Sequence, residues 1–102
     1  MSDIAPEPLA NIDSSAQGRL SVTGELGFES VPGLYTSSLK YFQNNPNLDV
    51  DLAGVTHTDS AGVALLIEWL RQARRQNCTI KFHNIPSQLL AIARVCGVAK
   101  IL

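Results

Sequence analysis

Three stretches of the chain alternate apolar and polar residues with a period of two. Leu20, Val22 and Leu26 alternate with Ser21, Thr23 and Glu25; Leu48, Val50 and Leu52 with Asp49 and Asp51; Cys78, Ile80 and Phe82 with Thr79, Lys81 and His83. Alternation of this kind gives a strand one dry and one wet face, so strands are expected over 19–26, 48–52 and 78–83. Leu9 to Asp13 is a weaker fourth strand, placed to pair with 19–26 through a turn at Ser15-Ala16-Gln17-Gly18.

Between the strands the period becomes helical. Val31, Leu34, Tyr35, Ser38 and Phe42 follow a helical spacing, with Ser30 as a candidate cap, Pro32 in the first turn and Asn44-Asn45-Pro46 as the stop. A second stripe, Val63, Leu66, Ile67, Leu70 and Ala73, is the most regular. Arg71, Arg74 and Arg75 lie toward its C-terminus, where cations complement the helix dipole. The third helix runs from Pro86 to Cys96 on Leu89, Ile92, Ala93 and Cys96, with Gly97 as a left-handed stop.

The order is ββαβαβα. Residues 48–82 form one βαβ unit, whose right-handed crossover makes its two strands parallel. Strands covered on both faces would be apolar throughout; these alternate, so the helices belong mainly on one face. The expected fold class is therefore α/β, a two-layer sandwich with a small mixed sheet.

At 102 residues the chain has room for one core, expected over 9–102, after a flexible N-terminal tail at 1–8 that holds two prolines and two acids. A net charge of −1 supplies no field for nucleic acid or an anionic bilayer. Apolar runs such as Val63 to Ile67 are far shorter than the roughly 20 residues that span a bilayer, so direct membrane insertion is not expected. Two lone thiols, Cys78 and Cys96, read as small hydrophobes in a cytoplasmic protein.

The segment Asp51-Leu52-Ala53-Gly54-Val55-Thr56-His57-Thr58-Asp59-Ser60-Ala61-Gly62 leads from a strand, through a loop, onto the most regular helix. Carboxyl ends of strands beside helix N-termini are where α/β sheets meet ligands and partners. The plain reading makes Asp59 or Ser60 an N-cap contributing about 1 kcal/mol. Yet one cap suffices, and Gly62 in the first turn costs up to about 1 kcal/mol relative to alanine. A glycine there suits close approach by another group. Ser60 stands at the positive end of the helix, where a phosphate is tolerated. Thr58, Asp59, Ser60 and Gly62 are thus the candidate partner-binding or phosphorylation residues.

Asp51-Leu52-Ala53-Gly54-Val55, then Thr58-Asp59-Ser60-Ala61-Gly62 with the apolar helix after it, and Gly24-Glu25-Leu26 upstream resemble the STAS domain (sulfate transporter and anti-sigma factor antagonist) over roughly residues 18–102. Within the family, Ala64 to Ala73, Phe82 to Leu89 and Ala93 to Val98 are most similar to the small cytoplasmic subunits of Mla-type phospholipid ABC transporters in Gram-negative envelopes. That resemblance implies a non-catalytic subunit. It would bind the transporter's ATPase, meet the inner-membrane permease indirectly, help maintain outer-membrane lipid asymmetry, and carry the family's functional hydroxyl at Ser60 beside Asp59. Gly27 stands where many members have Asp after Gly-Glu-Leu, so any role of that acid is absent here. The alternative within the family is an anti-sigma factor antagonist switched by phosphorylation of Ser60, whose added charge of about −2 would block a partner.

On a helical wheel Leu65 lies off the main stripe and Trp69 at its shoulder, with Glu68 on the rim. Read as core they are unremarkable; read as surface they form an apolar partner face. Other chemistry finds little support. Thr58-Asp59-Ser60-Ala61-Gly62 lacks the first glycine of a nucleophile elbow, and His57 has no orienting group in view, so no catalytic residues are assigned. No phosphate-binding glycine loop is present, and no cofactor is expected. Asp49, Asp51, Asp59, His57 and His83 lack metal-ligand spacing, so no metal is expected. Arg71, Arg74 and Arg75 read as a solvated helix end, without the interleaved aromatics of a nucleic-acid surface.

Overall fold

The computed structural model describes residues 9–43 and 45–102; the tail expected at 1–8 lies outside them. Strands β1 (Ala10–Ala16), β2 (Arg19–Leu26), β3 (Asn47–Thr58) and β4 (Thr79–His83) alternate with helices α1 (Val31–Ser38), α2 (Ser60–Arg75) and α3 (Ser87–Val95) in the expected order. Short 3-10 turns follow α1 at Leu39–Phe42 and α3 at Ala99–Ile101.

The sheet order is β1-β2-β3-β4. β1 is antiparallel to β2 across a tight turn in which Gly18 adopts φ +76°, a backbone state that favours glycine. β2, β3 and β4 are mutually parallel, as the crossover rule requires of β3 and β4. Leu20, Val22, Leu48, Val50 and Leu52 are buried under the helices. The other face carries Ser21, Asp49, Asp51, Lys81 and His83, and there His83 Nε2 meets Asp49 Oδ1 at 2.7 Å. Helices cover one face only, as the strand alternation implies.

β3 is much longer than the apolar alternation of 48–52. β4 pairs with it only as far as Asp51↔His83, whereas β2 follows it to Leu26↔Thr58. Beyond Leu52, Ala53, Gly54, Thr56 and His57 are exposed, so the ladder continues where the hydrophobic pattern has stopped. Gly54 sits at that irregular stretch because a Cβ would collide with Thr23 Cγ2 at 2.6 Å.

The helices obey their signals with two departures. Ser30 makes no side-chain cap on α1, and Cys96, at the C-cap of α3, is exposed while Cys78 is buried. Only Cys78 therefore packs as a small hydrophobe, and its burial pushes the thiol pKa up. Arg74 is exposed, as expected of a solvated helix end. Gly97 ends α3 at φ +77°, with Val98 N donating to Ala93 O at 2.9 Å.

On α2, Leu65 and Trp69 are each 1% exposed. The apolar partner face expected of them does not exist in the fold. α2 lies in a trough between α1, α3 and the sheet, so its buried arc is wider than the single stripe and takes in the shoulder. Trp69 stacks on Phe82 with ring centroids 6.3 Å apart, and its Nε1–H donates to Ser38 Oγ. Of the expected trio only Glu68 reaches solvent, where it pairs with Arg71 at 2.9 Å.

Candidate functional site

The carboxyl ends of β2 and β3 meet the N-terminus of α2. Asp59 has extended backbone (φ −124°, ψ −165°), and its Oδ1 accepts from Ala61 N at 2.7 Å. It is the N-cap, and it satisfies the free amide of Ala61, the second residue of α2, without help from its neighbour. Ser60 follows as the first helical residue; it is exposed, and among the described residues its hydroxyl takes part in no hydrogen bond. The plain capping role therefore belongs to Asp59, and Ser60 is left available at the positive end of the helix.

Thr58 and Gly62, expected beside them as partner-binding residues, face inward. Thr58 is 2% exposed; its Oγ1 lies within hydrogen-bonding distance of Leu26 O at 3.2 Å and of Asp59 O at 3.1 Å. Gly62 is buried, and a Cβ on it would overlap Thr58 Oγ1 and come within 3.1 Å of Leu89 Cδ1. Something does approach the helix end closely, as a glycine there implies, but it is the chain's own threonine. Both residues hold the site's shape and present nothing to a partner. Gln88, which the sequence pattern gave no reason to single out, joins them: its Oε1 accepts from Thr58 N at 3.3 Å and ties α3 to the end of β3.

Next to Asp59 is the loop between β2 and α1. Ser30 Oγ donates to Glu25 O at 2.6 Å and accepts from Gly27 N at 3.0 Å; Ser30 N and Val31 N both donate to Gly27 O. The serine that fails to cap α1 instead folds this loop. A Cβ at Gly27 would stand 3.1 Å from Asp59 Oδ2, so glycine leaves that oxygen uncrowded. An aspartate there would set a second carboxylate against the first.

Loop and strand ends together enclose a depression of about 360 Å³ lined by Leu9, Glu25, Phe28, Glu29, His57 and Asp59, besides Gly27 and Ser30. Phe28 is 73% exposed and Leu9 46%. No lysine or arginine is among the lining residues, and none of the three carboxylates is in an ion pair among the described residues. His57 lies within this wall, and no hydrogen bond among the described residues connects it to Ser60. A larger groove of about 530 Å³ runs beside it between β1 and α1, over Ile12 and Leu34.

On the far face of the sheet the acids of β3 are pinned. Asp49 lies below the ordinary carboxylate pKa because it accepts from His83, with the charges of His83, Lys81 and Arg19 adding to the effect. Asp51 is likewise lowered by bonds from Asn84 Nδ2 and Ala53 N. Among the described residues no cluster of three or more His, Cys, Asp or Glu is arranged to hold a metal ion.

The fold is a layered α/β domain with one bare sheet face and an exposed hydroxyl at the N-terminus of its middle helix. The family model described as Mlab, STAS domain, matches residues 11–102, and the chain belongs to that family. It is 37% identical over 49 residues to the intermembrane phospholipid transport system binding protein MlaB of Haemophilus influenzae; that match spans 48% of this chain and only about half (47%) of the relative. It is 20% identical over 84 residues to the anti-sigma-B factor antagonist of Bacillus subtilis, covering 82% of this chain and 77% of the other. The crystal structure of an anti-sigma factor antagonist from Mycobacterium paratuberculosis superposes with a TM-score of 0.71 at 16% identity, over 97% of this chain and 87% of that one. STAS domains are in general non-catalytic, and among the described residues no helix is long and apolar enough to cross a membrane.

Proposed function

We propose that residues 9–102 act as one STAS unit that binds the ATPase subunit of an Mla-type phospholipid ABC transporter, on the cytoplasmic side of the inner membrane, through the surface around Ser60. The observation that carries this is the division of labour at α2: Asp59 caps the helix, and the Ser60 hydroxyl beside it is exposed with no internal partner. The likeness to the Haemophilus influenzae intermembrane phospholipid transport system binding protein supports a partner within such a transport system. The chain contributes shape and hydrogen bonds and performs no chemistry of its own.

The test is co-purification of the chain with the transporter's ATPase subunit, as wild type and as Ser60→Ala. Because Ser60 is exposed and does not cap, the variant should melt at the wild-type temperature and lose most of the association. Unchanged association of the variant, or a wild-type chain that recovers a serine kinase in place of the ATPase, would overturn the reading. The anti-sigma factor antagonist alternative uses the same serine, but a phosphate there would lie beside the Asp59 carboxylate at an end of the molecule that already carries Glu25 and Glu29.

A further inference from the structure

We infer that Phe28 is the apolar anchor of this docking surface, and that the partner meets it with a hydrophobic socket ringed by lysine or arginine side chains. This rests on the proposed ATPase reading and specifies the chemistry of that contact. Phe28 is 73% exposed. Its position is imposed by the fold, since the Ser30 hydroxyl and the two amides bonded to Gly27 O fix the loop that bears it. A loop already held in place loses little further backbone freedom on docking, and covering the phenyl ring removes apolar surface from water. Leu9, 46% exposed, extends the apolar centre, while Glu25, Glu29 and Asp59 form its rim. An apolar centre within a charged rim is the anatomy of a protein interface.

The rim decides between occupants. A second copy applied two-fold would set three carboxylates against the same three, and an anionic lipid surface would meet the same repulsion. A cationic protein surface complements them. Among the described residues the other exposed large apolar side chains, Val95 and Ile101, neighbour Arg94 and Lys100 in sequence, so they offer the opposite charge and a built-in control.

The experiment is calorimetric titration of the full chain with the purified ATPase subunit at two salt concentrations. Phe28→Ala should weaken binding about tenfold or more with an unchanged melting temperature. Glu25→Lys with Glu29→Lys should weaken it and flatten its salt dependence, while Val95→Ala binds as wild type. If wild type binds and Phe28→Ala loses less than this, or the charge reversals leave the salt dependence as it was, the inference falls and the ATPase reading stands. If wild type fails to bind, the reading falls and takes the inference with it. Sedimentation of the chain alone adds a further check: self-association abolished by Phe28→Ala would assign the anchor to a second copy and overturn the proposal.

Discussion

The indole Nε1–H of Trp69 donates to the Ser38 hydroxyl at 2.8 Å, in the buried seam where α2 packs on α1. Ser38 in turn donates to Tyr35 O at 2.5 Å, so both buried polar groups are satisfied. This one bond explains why an aromatic with a polar handle can sit 1% exposed at the shoulder of α2. Replacing Ser38 by alanine removes the acceptor and strands the indole N–H. We expect Ser38→Ala to cost about 1–3 kcal/mol, read from urea unfolding with Trp69 as the sole tryptophan fluorophore. No loss of stability would mean that the bond is not made in solution.

Gly62 is held by opposing effects. Alanine is the better helix former by about 1 kcal/mol, so an exposed helical glycine should gain from the exchange. Here the new methyl would run into Thr58 Oγ1 and crowd Leu26 and Leu89, an overpacking that typically costs about 1–3 kcal/mol. Gly62→Ala should therefore destabilise, and Gly62→Ala combined with Thr58→Ser, which keeps the hydroxyl, should stay destabilised. Combined with Thr58→Ala, which removes it, the loss should be less than the sum of the two single changes. A thermal-melt double-mutant cycle measures the difference; strict additivity would separate the glycine from the threonine.

Acid should weaken the bare face of the sheet. The His83 bond on Asp49 and the Asn84 and Ala53 bonds on Asp51 hold both carboxyls below their ordinary range, so they bind protons less readily folded than unfolded. Their stabilising contribution is present above the unfolded value and is lost as pH falls through the lower folded values. Urea midpoints measured from about pH 5 down to about pH 3 should fall more steeply for wild type than for Asp49→Asn with Asp51→Asn. Equal slopes would show that these carboxylates are not held by His83 and Asn84.

Much of this molecule is written locally. Residues 19–26 form β2 with the bounds their alternation implies, and Gly97 ends α3 in the left-handed state expected of it. β3 was legible only where it alternates under the helices, because Ala53 to His57 are kept in the ladder by β2 and not by their own burial. At the site, the sequence located the segment from Thr58 to Gly62 but could not sort it. Capping, burial and exposure are set by what Leu26, Leu89 and Gln88 bring against each residue, and those lie far away along the chain.

The same distinction governs the surfaces. Periodicity reports how often an apolar residue recurs, so it determined the element order, the parallel crossover and the bare sheet face. It says nothing of how wide an arc of a helix the neighbours will cover. Only packing decided that Leu65 and Trp69 go inside and Phe28 stays out. Three elements close over α2, whereas the short bonded loop between Glu25 and Ser30 holds its phenylalanine at the surface, away from the core.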